Sequence, residues 1–538
     1  MAVGHAKYSG EVGVITSTQG PGAVHLLNGL YDAKLDGVPV VAVVGQQSTS
    51  VLGSAYMQEI DLAALVKDVA AGFSQLVSSA EQLPMVLDRA FRAALTGRAP
   101  AVVIVPHDVQ KEAVADLPQQ HGIVVTAPAW SASRVLPAET ELASAAAVLD
   151  AGSRVAMLVG QGARHARDEV IAVAEALGAG ITTSLLGKPY VDETQPFVAG
   201  TMGHLGTTAS AFVLGECDTL LIVGSNDPWT EFYPPPGQAR AVQIDIDGRA
   251  VGNRYPVEVS LVGDAAATLS ELLPRLTPRE PSPWRADVET AVRRWRDLAR
   301  TRAQTPAEPV NPERVVYELN SRLPVDAQVA VDVGSCVYWY ARQLCLPVGV
   351  PAHLSGTLAS MGCSVPYGIA AKLLRPDRPL VALSGDGAMQ MAGLAELITV
   401  ARMWPQWSDP RFVVCVFHNA DLAEVSWEQR EMEGEPLFPE SQDLPAFPYA
   451  DYARMLGLHG IRVDDPDRLG AAWDEALSGD RPTVIEVMTD PSVPLLAPFP
   501  AGAAKLDQMR KGIAAEGKAG ERARTLLDLY AAHEGGAV

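Results

Sequence analysis

Two apolar rhythms alternate along this chain. In "VALSGDGAMQMAGLAELI" (381–398) an unbroken apolar run stops at Gly385-Asp386-Gly387 and then resumes at helical spacing. "RFVVCVFHNADL" (411–422) again ends an apolar run in polar residues. Similar runs are "EVGVITS" (11–17), "PVVAVVG" (39–45) and "PAVVIVP" (100–106), then "RVAMLVGQG" (154–162), "GAGITTSLLG" (178–187), "DTLLIVGS" (218–225) and "AVQIDID" (241–247). A short run without polar alternation predicts a strand covered on both faces. "AEQLPMVLDRAFRAALTG" (80–97) carries the 3.6-residue rhythm and predicts an amphipathic helix closed by Gly97. The run at 381 predicts a strand ending at Ser384, with a helix over "AMQMAGLAELITVARMW".

Strands separated by helices of crossover length predict parallel sheets. The expected fold class is α/β, with three doubly wound domains and mostly parallel sheets. A chain of 538 residues exceeds the size, about 250–300 residues, at which one core stops growing. The blocks are 1–120, 138–275 and 310–500, followed by a tail, 501–538. "HGIVVTAPAWSASRVLPAET" (121–140) and the Arg-rich "PREPSPWRADVETAVRRWRDLARTRAQTPAEP" (278–309) connect them. The tail reads as a plain surface helix, with peripheral membrane contact as the alternative.

Charge and cysteine content narrow the chemistry. A net charge of −21 opposes nucleic acid or an anionic membrane as the main partner. The five cysteines are scattered, with no C-x-x-C pair, so neither a zinc site nor a disulfide framework is indicated. No uncharged apolar stretch of about 18 residues occurs, and the N-terminus lacks an apolar signal core. The expectation is a cytoplasmic protein.

In open parallel sheets, ligands bind beyond the carboxyl ends of strands. At Gly385-Asp386-Gly387 the glycines admit close backbone approach, and the following helix offers free N–H groups to an anion. Asp386 would repel a bare diphosphate; a divalent cation between them removes the conflict. Asn419 can give that cation an amide oxygen, and Asp421 its carbonyl. A glycine-flanked aspartate at a strand end, then a helix, then a strand ending in asparagine is far more specific than the tripeptide alone.

These residues, "GDGAMQ…VFHNADL", resemble the signature of thiamine-diphosphate-dependent enzymes, nearest to the pyruvate oxidase branch with acetolactate synthases as cousins. The likeness extends over almost the whole chain. Two departures stand out: a longer gap before His418, with the surplus in "MWPQWSDP", and His418 itself in place of the first of two asparagines. The resemblance implies that Asp386, Asn419 and Asp421 hold Mg²⁺, with Gly385, Gly387 and Ala388 at the diphosphate of thiamine diphosphate. It assigns Gly334 and Ser335 of "VDVGS" to the same diphosphate. In "TLASMGCSVPYGIAAK" (357–372), Met361 matches the bulky residue that bends the cofactor into a V. Gly20, Pro21 and Gly22 match the cofactor-facing turn of the pyrimidine-binding domain. Gln58, in "SAYMQEIDL", matches a substrate-facing glutamine, beside Met57 where relatives often have phenylalanine.

The activity implied is decarboxylation of a 2-oxo acid, pyruvate, with oxidation of the resulting enamine through FAD to quinone or oxygen. Gly160, Gly162, Gly203, Asp245 and Asp264 of the middle block match flavin-contacting stretches, although no complete G-x-G-x-x-G follows these strands. An acetolactate synthase-type carboligase is the alternative. The family's arrangement implies a homodimer or homotetramer with the site at the interface. It also implies a further stretch of about 60 residues ahead of Met1 bearing a catalytic glutamate, general acid–base help worth about 10²–10⁴ in rate. No residue of this sequence matches that glutamate, so a catalytically impaired cofactor-binding protein is a third reading.

Overall fold

The computed structural model describes residues 1–114, 121, 122, 124, 126, 128–131, 133–280 and 282–537. Four positions of the first connecting segment, Ile123, Val125, Ala127 and Ala132, lie outside the described residues, as do 115–120, Pro281 and Val538. The chain divides into two compact units, Met1–Ala132 with His353–Asp377, and Ser133–Ala352 with Arg378–Val538.

The first unit holds β1 (Gly13–Ser17), β2 (Val40–Gln46), β3 (Ser74–Leu76) and β4 (Pro100–Pro106), all parallel, in the order β1-β2-β4-β3. Every residue of β4 is buried, which is why its sequence lacks polar alternation. Val41, Val103 and Val105 pack against Val86, Ala90 and Ala94 of the helix Leu83–Gly97. That helix ends at Gly97 as expected but begins at Leu83, after a separate short turn at Ala80–Gln82. Gly97 is its last residue, and Arg98 takes the left-handed conformation, φ 45°. The helix Ala2–Ser9 is anchored by a buried charge: Lys7 Nζ donates to Asp36 at 2.6 Å and to Asp32 at 3.4 Å. Burial alone would lower the Lys7 ammonium; the two carboxylates more than offset it and hold it above its ordinary value.

The second unit carries two parallel sheets. One contains β5 (Val155–Val159), β6 (Gly180–Thr183), β7 (Val198–Thr201), β8 (Thr219–Val223), β9 (Arg240–Asp245) and β10 (Val259–Val262), ordered β10-β9-β8-β5-β6-β7. The other begins with β11 (Gln328–Val331). After the two-residue β12 (Ala352–His353), where the chain passes between units, come β13 (Leu380–Gly385), β14 (Phe412–His418), β15 (His459–Val463) and β16 (Thr483–Met488). Here the order is β12-β11-β13-β14-β16-β15. β13 runs through Gly385, one residue past the predicted stop at Ser384. The helical segment after it is continuous in direction but contains a π-turn at Met389–Gly393, a feature often found at functional sites.

The tail is more than a surface helix. Its helices, Ala501–Ala515 and Glu521–Ala537, bury Met509, Ile513, Tyr530 and Glu534. Glu534 Oε1 accepts from Arg302 Nη1 at 2.7 Å, while Arg302 Nε and Nη2 donate to Glu313 Oε1 at 3.0 and 2.8 Å. Arg302 lies on the long helix Pro283–Gln304, so this enclosed triad ties the C-terminal segment to the core. Balanced surface charge concealed one carboxylate that faces inward. Among the described residues no helix is long and apolar enough to cross a membrane.

Candidate active site

Three neighbouring strands of the third sheet end together. Val331 of β11 is level with Leu383 of β13, and Gly385 of β13 with Phe417 of β14. Gly334, Gly385-Asp386-Gly387 and Asn419 therefore leave one edge of the sheet side by side. Gly334 has φ 123° and precedes the helix Ser335–Gln343. A methyl group added at Gly334 or at Gly385 would meet no atom within 4 Å. These two glycines border open space, as a backbone cradle for a bound anion requires. Ser335 and Ala388 follow in the first turns of their helices.

Asp386 is 3% exposed. Its Oδ2 accepts the N–H groups of Asn419 at 2.9 Å and Ala420 at 2.6 Å, and its Oδ1 that of Gly387 at 2.9 Å. Burial raises its carboxyl above the ordinary value; those N–H groups and His418 pull in the opposite direction and do not fully cancel it. Asn419 Oδ1 accepts from Asp421 N at 3.0 Å, and Asp421 Oδ1 from the Ser426 hydroxyl at 2.7 Å. Burial, with the nearby carboxylates Asp443 and Asp386, pushes Asp421 up to about 6. Two carboxyl groups held above their normal range mark a place where added positive charge is favourable. Among the described residues no cluster of three His, Cys, Asp or Glu side chains forms a metal cage. A cation here would take one carboxylate, one amide oxygen, a main-chain carbonyl and oxygens of a ligand. That is a donor set suited to Mg²⁺ beside a diphosphate.

The other assigned residues fall in two further groups. In the first unit Gly20 has φ 59°, and a Cβ there would lie 2.8 Å from Cβ of Gln58. Gln58 itself has φ 63° and is exposed, and its neighbour Met57 is 74% exposed. The Gly20-Pro21-Gly22 turn opens the helix Pro21–Leu35, whose Asn28 donates to the hydroxyl of Ser360 at 2.7 Å. This places half-buried Met361 in the same unit as Gly20 and Gln58.

In the middle sheet the glycines are filled by the chain itself. A Cβ on Gly160 would sit 2.2 Å from the carbonyl of Gly224, one on Gly162 2.7 Å from Gly224 Cα, and one on Gly203 2.7 Å from the Trp229 ring. Asp264 caps a helix by accepting from Ala267 N at 2.9 Å, and Asp245 accepts from Asp247 N at 2.9 Å. The three glycines thus have close neighbours within the chain, and the two aspartates accept local main-chain N–H groups.

Several polar contacts escaped the sequence pattern. His418 Nδ1 pairs with Glu486 Oε1 at 2.9 Å. His204, next to Gly203, lies between Glu231 at 2.9 Å and Glu431 at 3.4 Å. Burial lowers its pKa, but the two carboxylates more than offset this and raise it overall. Arg342 donates to the carbonyls of His204 at 2.6 Å and Gly206 at 3.2 Å, joining that loop to the helix that begins at Ser335. Glu424, half-buried on the helix Ala423–Glu428 just past the candidate metal ligands, is pushed up to about 7 by burial and by Glu428. Only the run of glutamates after Asn419 could have signalled this cluster.

Comparison with known proteins gives three matches to family models, consecutive along the chain. Residues 1–65 match the N-terminal TPP binding domain of thiamine pyrophosphate enzymes, 142–272 their central domain, and 332–487 their C-terminal TPP binding domain. Bacillus subtilis YdaP, named as a thiamine pyrophosphate-containing protein, is 34% identical over 505 residues, 94% of this chain and 85% of its own. The large subunit of acetolactate synthase isozyme 2 of Escherichia coli is 30% identical, covering 95% of this chain and 90% of its own. Pyruvate oxidase of Lactiplantibacillus plantarum is 29% identical, covering 92% and 81%.

Proposed function

We propose, from the premise that this chain belongs to the thiamine pyrophosphate-dependent enzymes of the acetolactate synthase and pyruvate oxidase branch, that it decarboxylates a 2-oxo acid, pyruvate, with thiamine diphosphate and Mg²⁺. The observation that carries this reading is the open edge formed by Gly334, Gly385 and Asp386 beside Asn419. Thiamine diphosphate, when bound, supplies the nucleophile and electron sink for loss of carbon dioxide.

The chain's own residues bind and orient. Asp386, Asn419 and the Asp421 carbonyl would hold Mg²⁺, and the N–H groups after Gly334 and Gly385 would be available to phosphate oxygens. The three N–H groups on Asp386 fix its carboxylate, so it needs no reorganisation to receive a cation. Met361 would support the cofactor and Gln58 would orient the substrate. Holding the reactants in place converts a bimolecular encounter into a local one. Assembly would be as a homodimer or homotetramer, with the site between the first block of one subunit and the third block of another.

The finer reading is an oxidase, in which FAD would carry electrons to quinone or oxygen; it is supported by the pyruvate oxidase relative. The acetolactate synthase relative supports a second reading, in which a second 2-oxo acid accepts the two-carbon fragment. Anaerobic mixing of the purified protein with thiamine diphosphate, Mg²⁺, FAD and pyruvate separates them. The oxidase gives carbon dioxide together with bleaching of a flavin spectrum. Acetolactate without bleaching establishes the carboligase, and absence of carbon dioxide from every 2-oxo acid tried overturns the decarboxylase reading altogether.

A further inference from the structure

His418 stands where the family signature has asparagine, and it is 5% exposed. Its Nδ1 pairs with Glu486 Oε1 at 2.9 Å; with Glu486 ionised, the imidazole N–H is the donor. The other oxygen of Glu486 accepts the N–H of Ala450 at 2.9 Å. Burial would raise the Glu486 carboxyl, but these two donors more than offset it and leave it below its ordinary value.

Next to Ala450, fully buried Tyr449 receives the edge of the His418 ring, with centroids 5.2 Å apart and planes at 89°. The Tyr449 hydroxyl donates to the main-chain carbonyl of Asp386 at 3.1 Å and accepts from Gln390 Nε2 at 3.0 Å. Asp386 in turn accepts from the N–H of Asn419, the residue after His418. The contacts close a ring through His418, Glu486, Ala450, Tyr449, Asp386 and Asn419. It ties together the ends of β13 and β14, strand β16 and the helix Tyr449–Met455.

We propose that His418, through Glu486 and Tyr449, is a positioning residue that holds Asp386 and Asn419 in the geometry a magnesium–diphosphate ligand requires. This rests on the function proposed above. Groups that orient metal ligands typically contribute about 10–100-fold in metal affinity. Asparagine carries its amide nitrogen one bond beyond Cγ, as histidine carries Nδ1. It therefore keeps the donor to Glu486 while losing the ring, whereas leucine keeps bulk and loses the donor.

The test is a Mg²⁺ titration of thiamine diphosphate binding, followed by quenching of intrinsic tryptophan fluorescence. It uses the full chain and variants shown by circular dichroism to be folded. The expected result is that H418L raises the Mg²⁺ midpoint about 10–100-fold while H418N stays within about threefold of the parent. Should H418L fail to fold, Y449F decides by the same midpoint, because it removes only the hydroxyl that holds Asp386. A midpoint unchanged in the deciding variant, or an H418N loss as large as that of H418L, overturns the inference. A parent without Mg²⁺-dependent binding overturns the functional reading instead, and this inference with it.

Discussion

The carboxylate of Asp386 accepts the main-chain N–H of Asn419 at 2.9 Å, so the aspartate at one strand end is already oriented by the strand end beside it. Removing that carboxylate should cost both ligand binding and stability. D386A is expected to weaken Mg²⁺-dependent thiamine diphosphate binding by at least about 100-fold, measured calorimetrically. In the absence of ligand its thermal unfolding temperature should also fall, because three enclosed main-chain N–H groups lose their acceptor. D386N, which keeps an amide oxygen as acceptor, should lose cofactor affinity with a smaller change in Tm. Undiminished cofactor affinity would show that the binding centre lies elsewhere.

Two glycines separate ligand space from packing space. Gly385 has ordinary backbone angles, φ −77°, and open space where a Cβ would go, so G385A should fold with an unchanged Tm and lose cofactor affinity. Gly160 has the carbonyl of Gly224 at 2.2 Å from that point, so G160A should lower Tm whether or not ligand is present. Differential scanning fluorimetry with and without thiamine diphosphate and Mg²⁺ distinguishes them. A G385A variant that binds like the parent would remove the cradle from this account.

Glu424 makes stability depend on pH. Its carboxyl is raised from 4.5 to about 7, so between those values the folded state holds a proton that the unfolded state has released. Stability must therefore fall as pH rises from about 4.5 to 7, by about 3 kcal/mol at most from this group. E424Q should flatten that slope in urea unfolding followed from pH 5 to 8. An identical slope in parent and variant would show that Glu424 titrates normally.

The C-terminal helix should prove structural. Breaking an enclosed ion pair from one side typically costs about 3–5 kcal/mol. E534A leaves Arg302 with Glu313 alone and is expected to lower the denaturant midpoint by an amount in that range or somewhat below, with m unchanged. A midpoint equal to the parent's would mean that the tail is only lightly attached.

The candidate site was partly legible because its signals are local. Gly385-Asp386-Gly387 interrupts an apolar run, and Asn419 closes the next one, so each strand end could be read within a dozen residues. The glycines of the middle block carried the same composition with a different meaning. Gly160 and Gly162 lie against Gly224 because β5 and β8 are neighbours, a pairing that no local window contains. The His418–Glu486 contact spans 68 positions and Arg302–Glu534 spans 232, so neither leaves a periodic trace. The helix at Leu83–Gly97 shows the same limit on a smaller scale, since its left-handed cap fell on Arg98 although a glycine stood one residue earlier.

What the sequence determined by itself is the α/β layering and the chemistry at each strand end. Continuous apolar runs must be covered on both faces, and a run that stops at glycine and aspartate must turn there. What only the tertiary structure decided is which strand ends meet. The order β11-β13-β14 sets Gly334, Asp386 and Asn419 side by side, and the fold alone brings Glu486 and Tyr449 behind them. The reason is physical. Strand pairing and side-chain burial are settled by contacts distant in sequence, whereas turns and periodicity are settled by neighbours.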